Sequence, residues 1–377
     1  MINSEILEIR KQMKHENCTI TKVSGCYVDG EKTIKTKFTE SFLCLPEEET
    51  FKYFEIFKKS LSGTIGKNLI NMDFPLESEF NGGTQEFLLK LRDSELKDEV
   101  LLEEFYEKII QAYDYPGNYL VLIVYAAYDV PGKTNDKIMM EDASDEVYRY
   151  ILCSISPVNL SKPGLSYHEE LNLIGKRIQD WVVGMPNNGF LFPAFNDRST
   201  DIHSILFYSK DSEELHDDFV NQLFGCEVPM SAGGQKESFQ SLIKETLGEE
   251  CEYEIVRNIH EKLNDKLEEH KLKEIAEPLT LDRNEVKSIF AESGMDEERL
   301  VEFDRNYEKL NGENTTLMAA NLVNTRVFEV KTPDVIVKVN PERVDLVQTK
   351  LVDGRKCLVI EITDQVEVNG ILVKPTI

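Results

Sequence analysis

The feature that most constrains this chain is an unbroken apolar run, Tyr119 to Tyr128 (YLVLIVYAAY), closed on one side by Tyr115-Pro116-Gly117-Asn118 and on the other by Pro131-Gly132. It is about half as long as a membrane-spanning helix must be. A run of that length, bounded by turn formers, predicts a strand buried on both faces. Such a strand needs paired neighbours at its edges and apolar cover above and below. Val147 to Pro157 (VYRYILCSISP) is the expected antiparallel neighbour, across a polar loop from Gly132 to Asp145.

Further strands are expected in the stretch Trp181 to Lys210. Gly189 to Phe195 and Asp201 to Ser209 read as strands, joined by the polar residues Asn196, Asp197, Arg198, Ser199 and Thr200. Strand alternation would put Asp201, His203, Ile205 and Phe207 on one face and Ile202, Ser204, Leu206 and Tyr208 on the other. Neither face is cleanly polar, so the sheet is expected to be covered on both. Near the start of the chain, Cys18 to Val28 and Glu31 to Phe38 form a hairpin pattern, with Asp29-Gly30 as a two-residue type I′ turn.

Helices are predicted before these strands at Glu5 to Met13 behind an Asn3-Ser4 cap, from Pro46 to a Gly63 stop, at Thr84 to Arg92 and at Leu96 to Tyr113. After Lys210 the pattern turns helical again, at Ser212 to Leu223, Ser231 to Leu247 and Glu252 to Leu272. The last carries a narrow stripe of Ile255, Ile259, Leu263 and Leu267. Thr280 to Leu310 adds two helices parted by Ser293-Gly294-Met295, the first capped by Thr280, and Asn311 to Asn314 (NGEN) reads as a linker. From Arg326 the chain is β-rich, with hairpin turns at Asp353-Gly354 and Asn369-Gly370. The expected architecture is α+β, with a mainly antiparallel central sheet flanked by helices in 1–225, a helical segment in 226–310 and a small β-rich module in 311–377.

With 43 Lys and Arg against 69 Asp and Glu the formal net charge is -26. A field of that sign repels phosphate backbones, so DNA is not an expected partner. The helix pair in Thr280 to Leu310 resembles a helix-turn-helix only in spacing, since Asp296, Glu297, Glu298, Glu302 and Asp304 crowd its second helix. The seven cysteines are scattered without metal-ligand spacing, which fits reduced thiols in the cytoplasm. The charged opening MINSEILEIRKQMKHEN shows no secretory pattern, and no membrane span is expected. Gly82-Gly83-Thr84 lacks the GK[ST] of a phosphate-binding loop, and no cofactor is indicated.

Two constellations could carry chemistry. Asp201 and His203 have the residue types of a general base or of two metal ligands, with Asp197 and Arg198 close by. The competing reading makes the same residues a brace, in which short polar side chains bond backbone groups in a tight turn and Arg198 neutralises carboxylates. Gly233-Gly234-Gln235 matches, in three residues only, the peptidyl-tRNA-hydrolysing tripeptide of translation release factors. Its surroundings, SAGGQKESFQSL, read equally as the start of a helix after Ser231.

The segments LEIRKQM, ENCTITKVSGCYVDGEK, FLCLPEEE, LSGTIGKNL, YDYPGNYL, YILCSISPVNLSKPGL, DWVVGMPNNGFLFPAFNDRSTDIHSILFY and EPLTLD resemble those of a family of Gram-positive anaerobic bacteria defined as a domain of unknown function. The resemblance is dense to about residue 290 and implies no reaction, cofactor or catalytic residue. The functional expectation is therefore a macromolecule-binding or regulatory protein without catalysis, with another protein as partner. A hydrolase or metal-dependent enzyme using Asp201 and His203 is the alternative, and a ribosome-associated role through Gly233, Gly234 and Gln235 the third.

Overall fold

The computed structural model describes residues 1–79, 82–133, 139–248, 251–312, 315–362 and 365–373, the side chains of 133 and 139–145 excepted. The chain divides into two compact units, Met1–Ser231 and Ala232–Ile377.

The first unit is built on a twisted antiparallel sheet. The strands of this unit are β1 (Ile20–Val28), β2 (Ile34–Ser41), β3 (Leu69–Asp73), β4 (Asn118–Lys133) and β5 (Met139–Leu160). After them come β6 (Leu165–His168), β7 (Leu173–Lys176), β8 (Trp181–Val183), β9 (Asn188–Phe192), β10 (Ala194–Asn196), β11 (Ser199–Asp201) and β12 (Ser204–Ser209). The order across the sheet is β2-β1-β4-β5-β9-β12-β3, with β8 paired to the far end of β5, while β6–β7 and β10–β11 pair apart from that sheet. The apolar run lies in β4, at the centre as expected. Its pairing with β5 is longer than the sequence suggests, because β5 begins at Met139 inside the supposed polar loop, while 134–138 lie outside the described residues.

Alternation along β4 and β12 sorts the core into two layers. Val121, Ile123, Tyr125, Ile205 and Phe207 face α3 (Thr84–Asp93), α4 (Glu99–Ala112) and α5 (Asp217–Phe224), through Leu88, Leu91, Phe105, Ile109, Phe219 and Leu223. On the other face Leu122, Val124, Leu206 and Tyr208 meet α1 (Asn3–Lys11) and α2 (Glu47–Ser60), through Ile6, Ile9, Phe54 and Phe57. Each of these side chains, taken fully out of water, contributes about 1.5–3 kcal/mol, which explains why the central strands read as continuous apolar sequence. Gly25 permits one close approach: a Cβ there would sit 2.3 Å from the ring of Phe38, its cross-strand partner.

Several local expectations are corrected. The cap of α1 is Ile2, whose amide donates to Glu5 Oε2 at 2.7 Å, so Asn3 and Ser4 lie inside the helix. The β1–β2 connection is longer than a two-residue turn, because the Asp29 carboxylate accepts from the amides of both Glu31 and Thr33 and Lys32 takes the left-handed conformation. Leu69–Asp73, not anticipated as a strand, pairs with β12 from Tyr208 to Ser204 and forms one sheet edge.

In the second unit, α6 (Ala232–Leu247), α7 (Tyr253–Leu272), α8 (Arg283–Glu292) and α9 (Glu297–Asn311) enclose a separate core of Phe239, Leu242, Ile259, Leu263, Phe290, Phe303 and Tyr307. The α7 stripe packs into this core. Asp282, not Thr280, caps α8: its side chain accepts from the Glu285 amide, and Glu285 returns a bond to the Asp282 amide. Of the NGEN linker, Asn311 closes α9 and Gly312 follows it, while Glu313 and Asn314 lie outside the described residues. Leu317, Ala319, Leu322 and Val323 belong to the helical core. Beyond them three separate hairpins follow, pairing Phe328–Lys331 with Ile336–Val339, Val347–Val352 with Arg355–Ile360, and Val366–Val368 with Ile371–Val373. Asp353-Gly354 and Asn369-Gly370 have the positive φ values that a type I′ turn requires.

Candidate functional site

The polar stretch after β9 forms two tight turns. Asp197 and Arg198, at φ 51° and 57°, connect β10 to β11, and Ile202-His203 connects β11 to β12. The second turn breaks the alternation expected to align Asp201 and His203 with Ile205 and Phe207.

Arg198, Ser199, Thr200 and His203 each meet a carboxylate from elsewhere in the first unit, while Asn196 and Asp201 bond within the turns. Arg198 donates to both oxygens of Glu8, Nε at 3.1 Å and Nη2 at 2.9 Å, and also to the Pro131 carbonyl at 2.9 Å. The Tyr128 hydroxyl donates to the same Glu8 carboxylate at 3.0 Å. Ser199 Oγ donates to Glu146 Oε2 at 2.7 Å, and the Thr200 amide to Glu146 Oε1 at 3.1 Å. Asp201 accepts from Asn196 Nδ2 at 2.6 Å, Ser204 Oγ at 2.8 Å and the His203 amide at 3.0 Å. Ser204 Oγ also lies 2.7 Å from Asp73 Oδ1. The turn backbone is held too, with Gln85 Nε2 donating to the Ile202 carbonyl and the Phe74 amide to that of His203.

His203 and Asp201 are thus near each other but not joined side chain to side chain. The imidazole Nδ1 lies 2.6 Å from Glu79 Oε1, with the ring largely exposed. That bond raises the His203 pKa. Burial pushes the Asp201 carboxyl upward, but the bonds from Asn196, Ser204 and the His203 amide outweigh it and the net direction is down. Glu146 is held low by the hydroxyls of Thr200 and Ser199. Among the described residues no group of three or more His, Cys, Asp or Glu is arranged to hold a metal. Asp197 lies in the same turn as Arg198. Sequence reasoning missed Glu8, Asp73, Glu79 and Glu146, which approach from distant parts of the chain.

The other candidate lies in the second unit. Gly233, Gly234 and Gln235 form the first turn of α6, and Gln235 is buried. Its Oε1 accepts from the Met318 amide at 2.8 Å and from Asn321 Nδ2 at 3.3 Å.

A third feature was not anticipated. Between β5 and β9 the chain forms an arm, in which the β6–β7 hairpin is separate from the sheet and β8 returns along the end of β5. In the hairpin Tyr167 pairs with Ile174 and Leu165 with Lys176, so Leu165, Tyr167 and Ile174 share one face. That face is open, with Leu165 79% and Ile174 64% exposed, and Leu171, Ile178, Val182 and Met185 are exposed elsewhere in the same segment. Trp181, the sole tryptophan, is 57% exposed. The alternation in LSYH and NLIGK was the available signal, with Asn172 in the left-handed conformation marking the reversal.

Fold and surfaces together define a two-unit α+β protein with a both-sides-covered antiparallel sheet and a projecting apolar arm. The chain matches the family described as Domain of unknown function (DUF4317) over residues 1–371, and it belongs to that family. No curated protein and no solved structure matches it. No described helix is long and apolar enough to cross a membrane.

Proposed function

We propose that this chain is a cytosolic protein-binding module, without catalysis of its own, that docks another protein through the arm from Leu160 to Met185. The observation that carries this reading is the open apolar face of Leu165, Tyr167 and Ile174 with Trp181 close in sequence. A two-stranded hairpin is marginal in water by itself, and contiguous exposed apolar surface marks interaction sites. The arm balances three Lys and Arg against three Asp and Glu within a chain of net charge -26, so it is a neutral approach for a partner. The partner expected is a protein presenting an apolar face and a free strand edge, since among the described residues β6 and β7 pair only with each other. About 20–30 residues form one side of a standard interface, a number the arm can supply.

A photoreactive residue placed at Tyr167 or Trp181 tests this in cells of the source organism. It should give a discrete protein adduct, absent when the probe replaces Phe51, which is exposed on α2. Equal labelling at Phe51, or adducts only to a second copy of this chain, would overturn the proposal as stated. The hydrolase reading keeps one favouring observation, the His203–Glu79 pair with its exposed ring. The brace reading is favoured by the wider arrangement, in which Asp201, Arg198, Ser199 and Thr200 are all bonded to groups that hold the turn.

A further inference from the structure

A hollow of about 500 Å³ is lined by residues of β1, β2, β4 and β5 and by the turn between α3 and α4. Lys22 of β1 is the register partner of Tyr125 of β4, and Arg149 of β5 that of Ala127, two residues along the same face. The two cations therefore rise on the side of the sheet that carries the Tyr125 ring. Above them the turn from Ser94 to Lys97 holds Glu95 and Leu96 at φ 54° and 56°, a conformation rare for side chains of this kind. Leu96 is fully buried and anchors the turn, leaving Glu95 and Lys97 at the rim of the hollow. Lys97 bonds to Glu95. Neither the Lys22 nor the Arg149 side chain forms a hydrogen bond or close ion pair among the described residues.

In a chain of net charge -26 this hollow has the opposite sign: Lys22, Lys97 and Arg149 face one carboxylate, Glu95. We propose that it binds the dianionic phosphate group of a small phosphate monoester or of free phosphate. The unmatched charge corresponds to the two negative charges of such a group. An arginine supplies a planar fork that grips two oxygens while lysines act as point charges, a combination suited to phosphate. The volume falls in the range of small-ligand sites, and the acidic remainder of the surface repels nucleic acid. The site is separate from the arm and does not depend on the proposed docking.

Calorimetric titration of the full chain at low salt with inorganic phosphate and with glycerol 3-phosphate tests the assignment, with sulfate as a control for simple charge. Saturable one-to-one binding of at least one phosphate species is expected. The ester binds more tightly if the ligand is a metabolite, and equally or less tightly if it is the free ion. Arg149→Gln and Lys22→Gln should each weaken binding about tenfold, the usual loss for one hydrogen bond to a charged group. Both positions lie at the surface of a sheet whose core they do not enter, and circular dichroism checks each variant's fold. Lys210→Gln, far from the hollow in sequence and absent from its lining, should leave affinity unchanged. No saturable heat at millimolar ligand, an unchanged affinity in the Arg149 and Lys22 variants, or an equal loss in Lys210→Gln would each overturn the proposal.

Discussion

Replacing Arg198 with glutamine tests whether the turn after β10 is a brace. Glutamine is chosen because it keeps a long polar side chain at φ 57°, so the backbone cost of that conformation is nearly the same in both proteins. What is lost is the guanidinium, which bonds both oxygens of Glu8 and the Pro131 carbonyl. Arg198 and Glu8 are 15% and 18% exposed, intermediate between a surface pair and a buried one. Surface pairs are worth about 0–1 kcal/mol, and breaking a buried pair costs about 3–5 kcal/mol. The expected loss is therefore about 2–3 kcal/mol. For a unit of this size it lowers the melting temperature by about 4–12 °C, at about 2–4 °C per kcal/mol. Differential scanning calorimetry of the wild type, Arg198→Gln, Glu8→Gln and the double variant gives both the loss and the coupling. A coupling energy above about 1 kcal/mol is expected for groups in direct contact. A shift of about 1 °C or less in Arg198→Gln, or additive effects of the two changes, would refute the brace.

The His203 imidazole should titrate by NMR above its ordinary pKa of 6.5, and Glu79→Gln should bring it back toward that value. Because the folded pKa is raised, the stabilisation linked to His203 is present below pH 6.5 and fades as pH rises through the folded value, a dependence His203→Gln should remove. Asp201 has the opposite sign: its pKa is lowered, so its contribution is present above pH 3.8 and lost as pH falls through the folded value, which Asp201→Asn should flatten in acid titration. Limited trypsin digestion should cut after Arg326, in the exposed segment that follows Val323, and leave the helical core of the second unit folded. A chain ending at Leu310 should fail to fold that unit, since it lacks Leu317, Ala319 and Leu322; cooperative melting of such a chain would refute this.

What the sequence made legible follows the range of the interactions involved. The central strands were readable because burial on both faces leaves a continuous apolar run, and most helices because their stripes and stops are local. Caps and turns were less so. Asn3-Ser4 and Thr280 are good cap residues by type, but the helix start is chosen by where Glu5 and Asp282 can reach backbone amides. The edge strand Leu69–Asp73 is short and mixed in polarity, and only its pairing with β12 identifies it. The hairpin arm was missed for a different reason. Its apolar residues lack internal cover, so a pattern method that equates alternation with a half-buried strand finds too little to distinguish it from a loop.

The polar turn shows the limit most clearly, because residue types alone fit a site and a brace equally well. What separates the two is where the side chains spend their bonding capacity. A general base needs a free lone pair aimed at space a substrate can enter, whereas Asp201 directs both oxygens at groups of its own turn. Arg198 likewise turns inward to Glu8, and Ser199 and Thr200 share Glu146. His203 keeps most of its ring in solvent, and Glu79, bonded to it, is the largest of the carboxylates that raise its basicity, ahead of Asp201 and Asp73. The side-chain bond to the imidazole at this turn comes from Glu79 and not from Asp201, so a Glu79→Gln variant tests the enzyme reading at a residue the sequence did not single out.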